Sequence, residues 1–149
     1  MARLDASRLS TWRVLQSRVA EIERRVDEDL RAEWDISLNW FDVLAALQRL
    51  GGSGRPSEIS DELLLPLSSL TRRVDRLEED GWVTRRKRPA GGDHRAVEVS
   101  LTRRGRNLWR AMNVTYRRSV QQHFAIHLDD GTMDGLRSAL DDLAADDAS

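Results

Sequence analysis

The sequence contains no cysteine, which excludes disulfides, thiolate metal sites and thiol-based redox sensing. It has only 3 prolines, and aromatic residues make up 5% of the chain. The longest strictly apolar stretch, Leu63 to Leu67, contains Pro66 and is far too short to cross a bilayer. The opening Met1-Ala2-Arg3-Leu4-Asp5 lacks the apolar core of a secretion signal. Neither sign of charge dominates, with 24 basic and 25 acidic side chains and a net charge of −1. These absences lead to the expectation of a soluble cytoplasmic protein with no membrane partner. What remains is 149 residues, 40% apolar and 33% charged, about one globular domain. That length excludes a complete (β/α)₈ barrel and a doubly wound enzyme with a second domain.

The neutral total hides a polarised chain. Residues 71–110 hold 12 basic and 6 acidic side chains, net +6, whereas residues 111–149 hold 3 and 7, net −4. A basic block flanked by acidic segments suggests an anionic partner on one face, commonly nucleic acid.

Leu15, Val19, Ile22, Val26 and Leu30 recur every three or four residues and predict a long first helix over about Ser7 to Ala32. Trp34 to Asn39 reads as a break. Trp40, Val43, Leu44, Leu47 and Leu50 then predict a second helix, which Gly51-Gly52-Ser53-Gly54 stops. Pro56 opens a short third helix through Leu64, and a fourth runs from about Leu67 to Asp80, with Gly81 as its C-terminal cap. A break of about three residues between helices three and four is the connection of a helix-turn-helix. After Gly81 the period changes. Trp82 to Arg88 and the alternating Val97, Val99 and Leu101 predict a two-stranded hairpin with a turn at Ala90-Gly91-Gly92-Asp93. Thr102 is an N-cap for a long helix carrying Leu108, Met112, Tyr116 and Val120. Asp129 and Asp130 start a last helix with Met133, Leu136, Leu140 and Leu143.

At about 100° per residue, Leu70, Val74 and Leu77 share one side of the fourth helix. Ser68, Ser69, Arg72 and Arg76 fall on the opposite half and Arg73 on the flank. The second helix of a helix-turn-helix enters the major groove, where short hydroxyls approach bases closely and arginine forks fit guanine or phosphate. The hairpin adds Arg85, Arg86, Lys87, Arg88 and Arg95, and an arginine on a thin tip suits the negative potential of a narrow minor groove. Asp93 would hold a neighbouring arginine and shape the turn.

Three runs of residues resemble the MarR family of bacterial transcription regulators. Leu70-Thr71-Arg72-Arg73-Val74-Asp75-Arg76-Leu77-Glu78-Glu79-Asp80-Gly81-Trp82-Val83 is similar to its recognition-helix run. Asp93-x-Arg95 followed by Leu101-Thr102-x-x-Gly105 resembles its wing, and Phe41-x-Val43-Leu44-x-x-Leu47 its second helix. The resemblance implies a mainly α fold with a small β-hairpin wing: a winged helix-turn-helix core plus a helical dimerisation region from both termini. It implies one domain over residues 1–149, with the winged helix-turn-helix at about 36–103 and dimerisation helices at about 1–35 and 104–149. It further implies a homodimer that binds a pseudo-palindromic operator on double-stranded DNA, more often as a repressor. By position, Ser68, Ser69, Thr71, Arg72, Arg73 and Arg76 are similar to the family's major-groove and phosphate contacts. Arg95 is similar to its minor-groove arginine, Asp93 to that arginine's support, and Arg88 belongs to the same basic wing. Pro66 departs from the family pattern, standing near where a hydroxyl N-cap is common.

Many relatives bind a small aromatic or other organic effector and then release DNA. Of the five tryptophans, Trp12 and Trp40 are the better candidates for lining such a site, although tryptophan at helical spacing is more often core or interface. His123 and His127 stand four apart, yet the second helix offers no further histidine, so no metal and no cofactor is expected. An enzyme is disfavoured: Gly51-Gly52-Ser53-Gly54 lacks the Gly-Lys-Ser/Thr of a phosphate loop, and no Gly-x-Ser-x-Gly elbow occurs. Asp141, Asp142, Asp146 and Asp147 read as a solvated face and tail. The alternative is a winged-helix interaction module that no longer binds DNA. The hydroxyls and arginines on the fourth helix argue against it.

Overall fold

A computed structural model describes residues 3–87 and 97–145. The elements are α1 (Ala6–Trp34), α2 (Leu38–Arg49), β1 (Ser53–Gly54), α3 (Pro56–Leu63), α4 (Leu67–Glu79), β2 (Val83–Lys87), β3 (Val97–Leu101), α5 (Arg103–His123) and α6 (Asp130–Ala145). A single 3₁₀ turn, Ala125–His127, precedes α6. No helix among the described residues is long and apolar enough to cross a membrane. The chain divides into two compact units, one of residues 1–25 with 117–149 and one of residues 26–116.

The first unit keeps apolar side chains in solvent. Trp12 is 55% exposed, Val14 51% and Leu143 65%, and Leu15, Val19 and Leu140 are also exposed. Glu21 accepts from both Arg24 and Arg25, whose guanidinium groups hold its carboxyl below the usual carboxylate range. Asp129 caps α6, its carboxylate accepting the Thr132 backbone N–H at 2.8 Å, which lowers its pKa in the same direction.

The second unit is built on a core of Val43, Leu44, Leu47, Ile59, Leu70, Val74, Leu77, Val83 and Val99, all buried. The contributors from α2 and α4 recur at the three- and four-residue spacing that draws one apolar stripe, and Ile59 is added from α3. Asp35, in the left-handed region at φ 55°, ends α1. α2 then begins without a cap from its own N-cap residue, Ser37. Instead Asp27 of α1 reaches across and accepts the Leu38 N–H at 2.8 Å, while also accepting from Arg31.

The hairpin expectation is incomplete. The sheet has three strands in the order β1-β3-β2, all antiparallel, with Ser53 opposite Ser100 and Gly54 opposite Val99. The glycine-rich stretch that stops α2 also supplies the third strand. Gly51 and Gly52 turn the chain at φ 90° and 104°, and the Gly52 carbonyl accepts the Leu101 N–H at 2.9 Å.

One junction fixes α5 against the sheet. Thr102 Oγ1 donates to the Gly81 carbonyl at 2.7 Å and accepts the Gly105 N–H at 3.0 Å, the N-cap expected from the sequence. Gly105 is there because nothing else fits: a Cβ would stand 2.0 Å from the Trp82 carbonyl oxygen. The Arg104 guanidinium lies 4.7 Å from the centre of the Trp82 ring.

Candidate nucleic-acid interface

The fourth helix carries the candidate site. Leu70, Val74 and Leu77 are buried and anchor α4 against α2 and α3. That anchoring turns the opposite half outward, leaving Ser68, Thr71, Arg72 and Arg76 exposed, with Ser69 and Arg73 half-buried on its margins. The start of α4 has no side-chain cap. Pro66 occupies the N-cap, no acidic residue stands in the first turn, and the Pro66 carbonyl serves only to accept the Leu70 N–H. The first turn of α4 thus has neither a side-chain cap nor an acidic side chain to offset the positive end of the helix dipole.

The arginines on this face differ in their freedom. Arg72 forms no ion pair or hydrogen bond among the described residues. Arg76 pairs with Asp80 one turn on, at 3.5 Å and well exposed. It also borders a small notch with Asp35, Ile36, Trp40, Leu77, Asp80 and Trp82. Arg73 donates to the Asn39 carbonyl at 3.4 Å and so ties the flank of α4 to the start of α2. Thr71 spends its hydroxyl hydrogen on the Leu67 carbonyl at 2.9 Å, keeping its lone pairs as acceptors.

Arg85, grouped by sequence with the basic hairpin, is engaged within the fold. Its side chain is only 29% exposed, and its guanidinium bonds the Asp75 carboxylate and the Thr71 carbonyl. Its backbone N–H donates to Glu78 at 3.1 Å. The first strand of the wing is therefore clamped to the recognition helix by two acids that sequence reading left without a role. Spacing alone gives no warning, because Arg85 lies ten residues from Asp75 and on a different kind of element. Arg86 and Lys87 remain exposed at the far end of β2, with Arg86 directly opposite Glu98 in the register. Arg88, Asp93 and Arg95 lie outside the described residues.

The effector candidates fall in different units. Trp12 is largely exposed on α1, while Trp40 is half-buried against the core of the second unit and lines the notch beside Arg76. α5 ends at His123 and His127 lies in the 3₁₀ turn, so the two imidazoles do not share a helix face. Among the described residues no group of three or more His, Asp or Glu side chains is placed to hold a metal ion.

Residues 34–96, from the end of α1 to the residue before β3, match the MarR family model. Over that segment the chain is similar to MarR family regulators. The chain is 38% identical over 91 residues to the HTH-type transcriptional regulator PecS of Dickeya dadantii (strain 3937), covering 60% of this chain. It spans about half of that relative, 54% of its length. Among solved structures, it is similar to a mutant MarR from E. coli complexed with operator DNA, at 26% identity and a TM-score of 0.80, covering 95% of this chain and 99% of that one. It shares its fold with Sco3205, a MarR family transcriptional regulator from Streptomyces coelicolor in complex with DNA. That match has 23% identity and a TM-score of 0.84 and covers 97% of this chain and 89% of the other. These relatives are transcription regulators rather than enzymes. The wHTH order expected from sequence, with α3 and α4 as the helix-turn-helix and β2 and β3 as the wing, is the MarR winged-helix architecture.

Proposed function

We propose that two copies of this chain bind a pseudo-palindromic operator on duplex DNA and act as a transcription repressor, released by a small organic effector. The observation that carries the reading is the outward face of α4: an uncapped N-terminus, followed by Ser68, Thr71 and Arg72, all exposed. The helix start would meet phosphate and base edges, and Arg72 would present its fork to guanine O6 and N7 or to a phosphate. Arg76 would join it after leaving Asp80, and Arg73 would act from the flank. Arg88 and Arg95 would follow the minor groove, with Asp93 holding the tip. The exposed apolar side chains of α1 and α6 supply what a second copy would cover. Trp40, beside the notch that Arg76 borders, is the better placed of the two effector candidates.

Selection of bound sequences from a random DNA pool tests this reading. A two-fold motif with half-sites about one helical turn apart is the expected result. Binding should also weaken steeply with salt, because counterion release drives much of the affinity. Recovery of no enriched motif would reject the proposal.

A further inference from the structure

α5 carries six arginines and no carboxylate: Arg103, Arg104, Arg106, Arg110, Arg117 and Arg118. Three of them fall in its first turn, where the helix dipole already concentrates positive charge and disfavours cations, and Arg110 follows one turn on. No acidic residue stands in the first turn to offset them. Arg104 has a use inside the fold, against Trp82. Arg106 and Arg110 have none: both are exposed, and neither guanidinium forms an ion pair or hydrogen bond among the described residues. They are one turn apart on the same helix face, a spacing at which like charges repel.

Both line a cleft of about 330 Å³ with Gln48, Gly51, Gly52 and Trp109. No carboxylate borders it. A Cβ on Gly51 would meet nothing within 4 Å, so the backbone there faces open space, whereas one on Gly52 would stand 3.2 Å from the Arg106 guanidinium. Trp109 Nε1 is the one buried side-chain polar atom left without a partner among the described residues. A buried donor without an acceptor is an arrangement that folded proteins otherwise avoid. The cleft therefore combines two unneutralised guanidinium forks with the amide of Gln48 and the edge of the Trp109 side chain. It contains donors and cations in plenty, and no charged acceptor.

We propose that this cleft binds a small oxyanion, the carboxylate or phosphate group of a polar metabolite. The two forks match either group through paired hydrogen bonds. Trp109 lines the same cleft, so its indole signal reports occupancy. The site stands at the C-terminal end of α2, whereas Arg73 meets Asn39 at the other end, about 15 Å away along the helix. It is thus separate from the outward face of α4 and does not depend on what that face binds.

Indole N–H spectra of the ¹⁵N-labelled full chain test the proposal. The chain has five tryptophans, and Trp109→Phe assigns the signal that matters. Inorganic phosphate, benzoate and, at matched ionic strength, sodium chloride are titrated in turn. The Trp109 signal is expected to move saturably with phosphate or benzoate and to stay put with chloride. The anion with the lower midpoint names the chemical group. The double variant Arg106→Gln, Arg110→Gln should raise that midpoint by about tenfold or more, while Arg72→Gln leaves it unchanged. Both altered side chains are exposed, and the wild-type titration stands without the variant. A Trp109 signal that neither oxyanion moves, that chloride moves equally, or that titrates identically in the double variant would overturn the proposal. So would equal weakening in Arg72→Gln. The two arginines would then serve only to neutralise the carbonyl end of α2.

Discussion

The Arg85 guanidinium on β2 hydrogen-bonds the Asp75 carboxylate on α4, joining the base of the wing to the recognition helix. Asp75 faces the same side as Ser68 and Arg72, where a bare carboxylate would repel a phosphate backbone. Arg85 neutralises it in place. In a urea-denaturation double-mutant cycle, Arg85→Ala and Asp75→Ala should show a coupling of about 0.5–1 kcal/mol, the scale of a partly exposed ion pair. Operator affinity should fall in Arg85→Ala and recover in part when Asp75→Asn is added. Strict additivity in the cycle would show that the contact contributes nothing.

Arg72 and Arg76 should contribute unequally to DNA binding. Arg72 is unengaged, so Arg72→Ala should cost about 1–3 kcal/mol of operator affinity. Arg76 has first to leave Asp80, so Arg76→Ala should cost less, and Asp80→Ala should tighten binding. Fluorescence anisotropy with a selected operator measures all three, with size-exclusion chromatography to check that assembly is unchanged. Equal anisotropy curves for wild type and Arg72→Ala would remove that arginine from the interface.

Gly105→Ala reverses the usual rule that alanine improves a helix. Ordinarily the exchange favours a helix by up to about 1 kcal/mol. Here the added methyl would collide with the Trp82 carbonyl, which is backbone and cannot swing aside. Thermal unfolding should show a loss of about 3 kcal/mol or more. A melting temperature at or above that of wild type would mean that the junction relaxes freely.

Asp129 gives α6 an acid-sensitive start. Its pKa is lowered by the Thr132 N–H, so its contribution is present above the ordinary carboxylate range and is lost as pH falls through the depressed value. Asparagine caps equally well without titrating. Between about pH 6 and about pH 2, wild type should therefore lose more α6 helicity than Asp129→Asn, by circular dichroism or amide exchange. Parallel pH profiles for the two proteins would rule this out.

The helices were legible because each buries a stripe that repeats at the helical period, as Leu70, Val74 and Leu77 do. The turns were legible from Gly81 and from Thr102 ahead of Gly105. β1 was not, since two residues are too few to alternate and the strand exists only because β3 offers an edge. The capping of α2 by Asp27 was hidden for a related reason: it depends on where α1 ends in space, eleven residues earlier in the chain. On the candidate interface, wheel geometry placed Ser68, Arg72 and Arg76 outward. Counting charge along the chain, however, treats every arginine alike. It cannot distinguish Arg85, held by two acids, from Arg72, held by none.

The collar around the Trp82 carbonyl has a mechanical consequence. Gly81 closes α4, Thr102 bridges to it, and Gly105 brings α5 within a distance that leaves no space for a methyl group. Such a joint has no slack with which to absorb a displacement. A displacement of the opening turn of α5 is therefore expected to carry with it the closing turn of α4 and the Arg76 it bears.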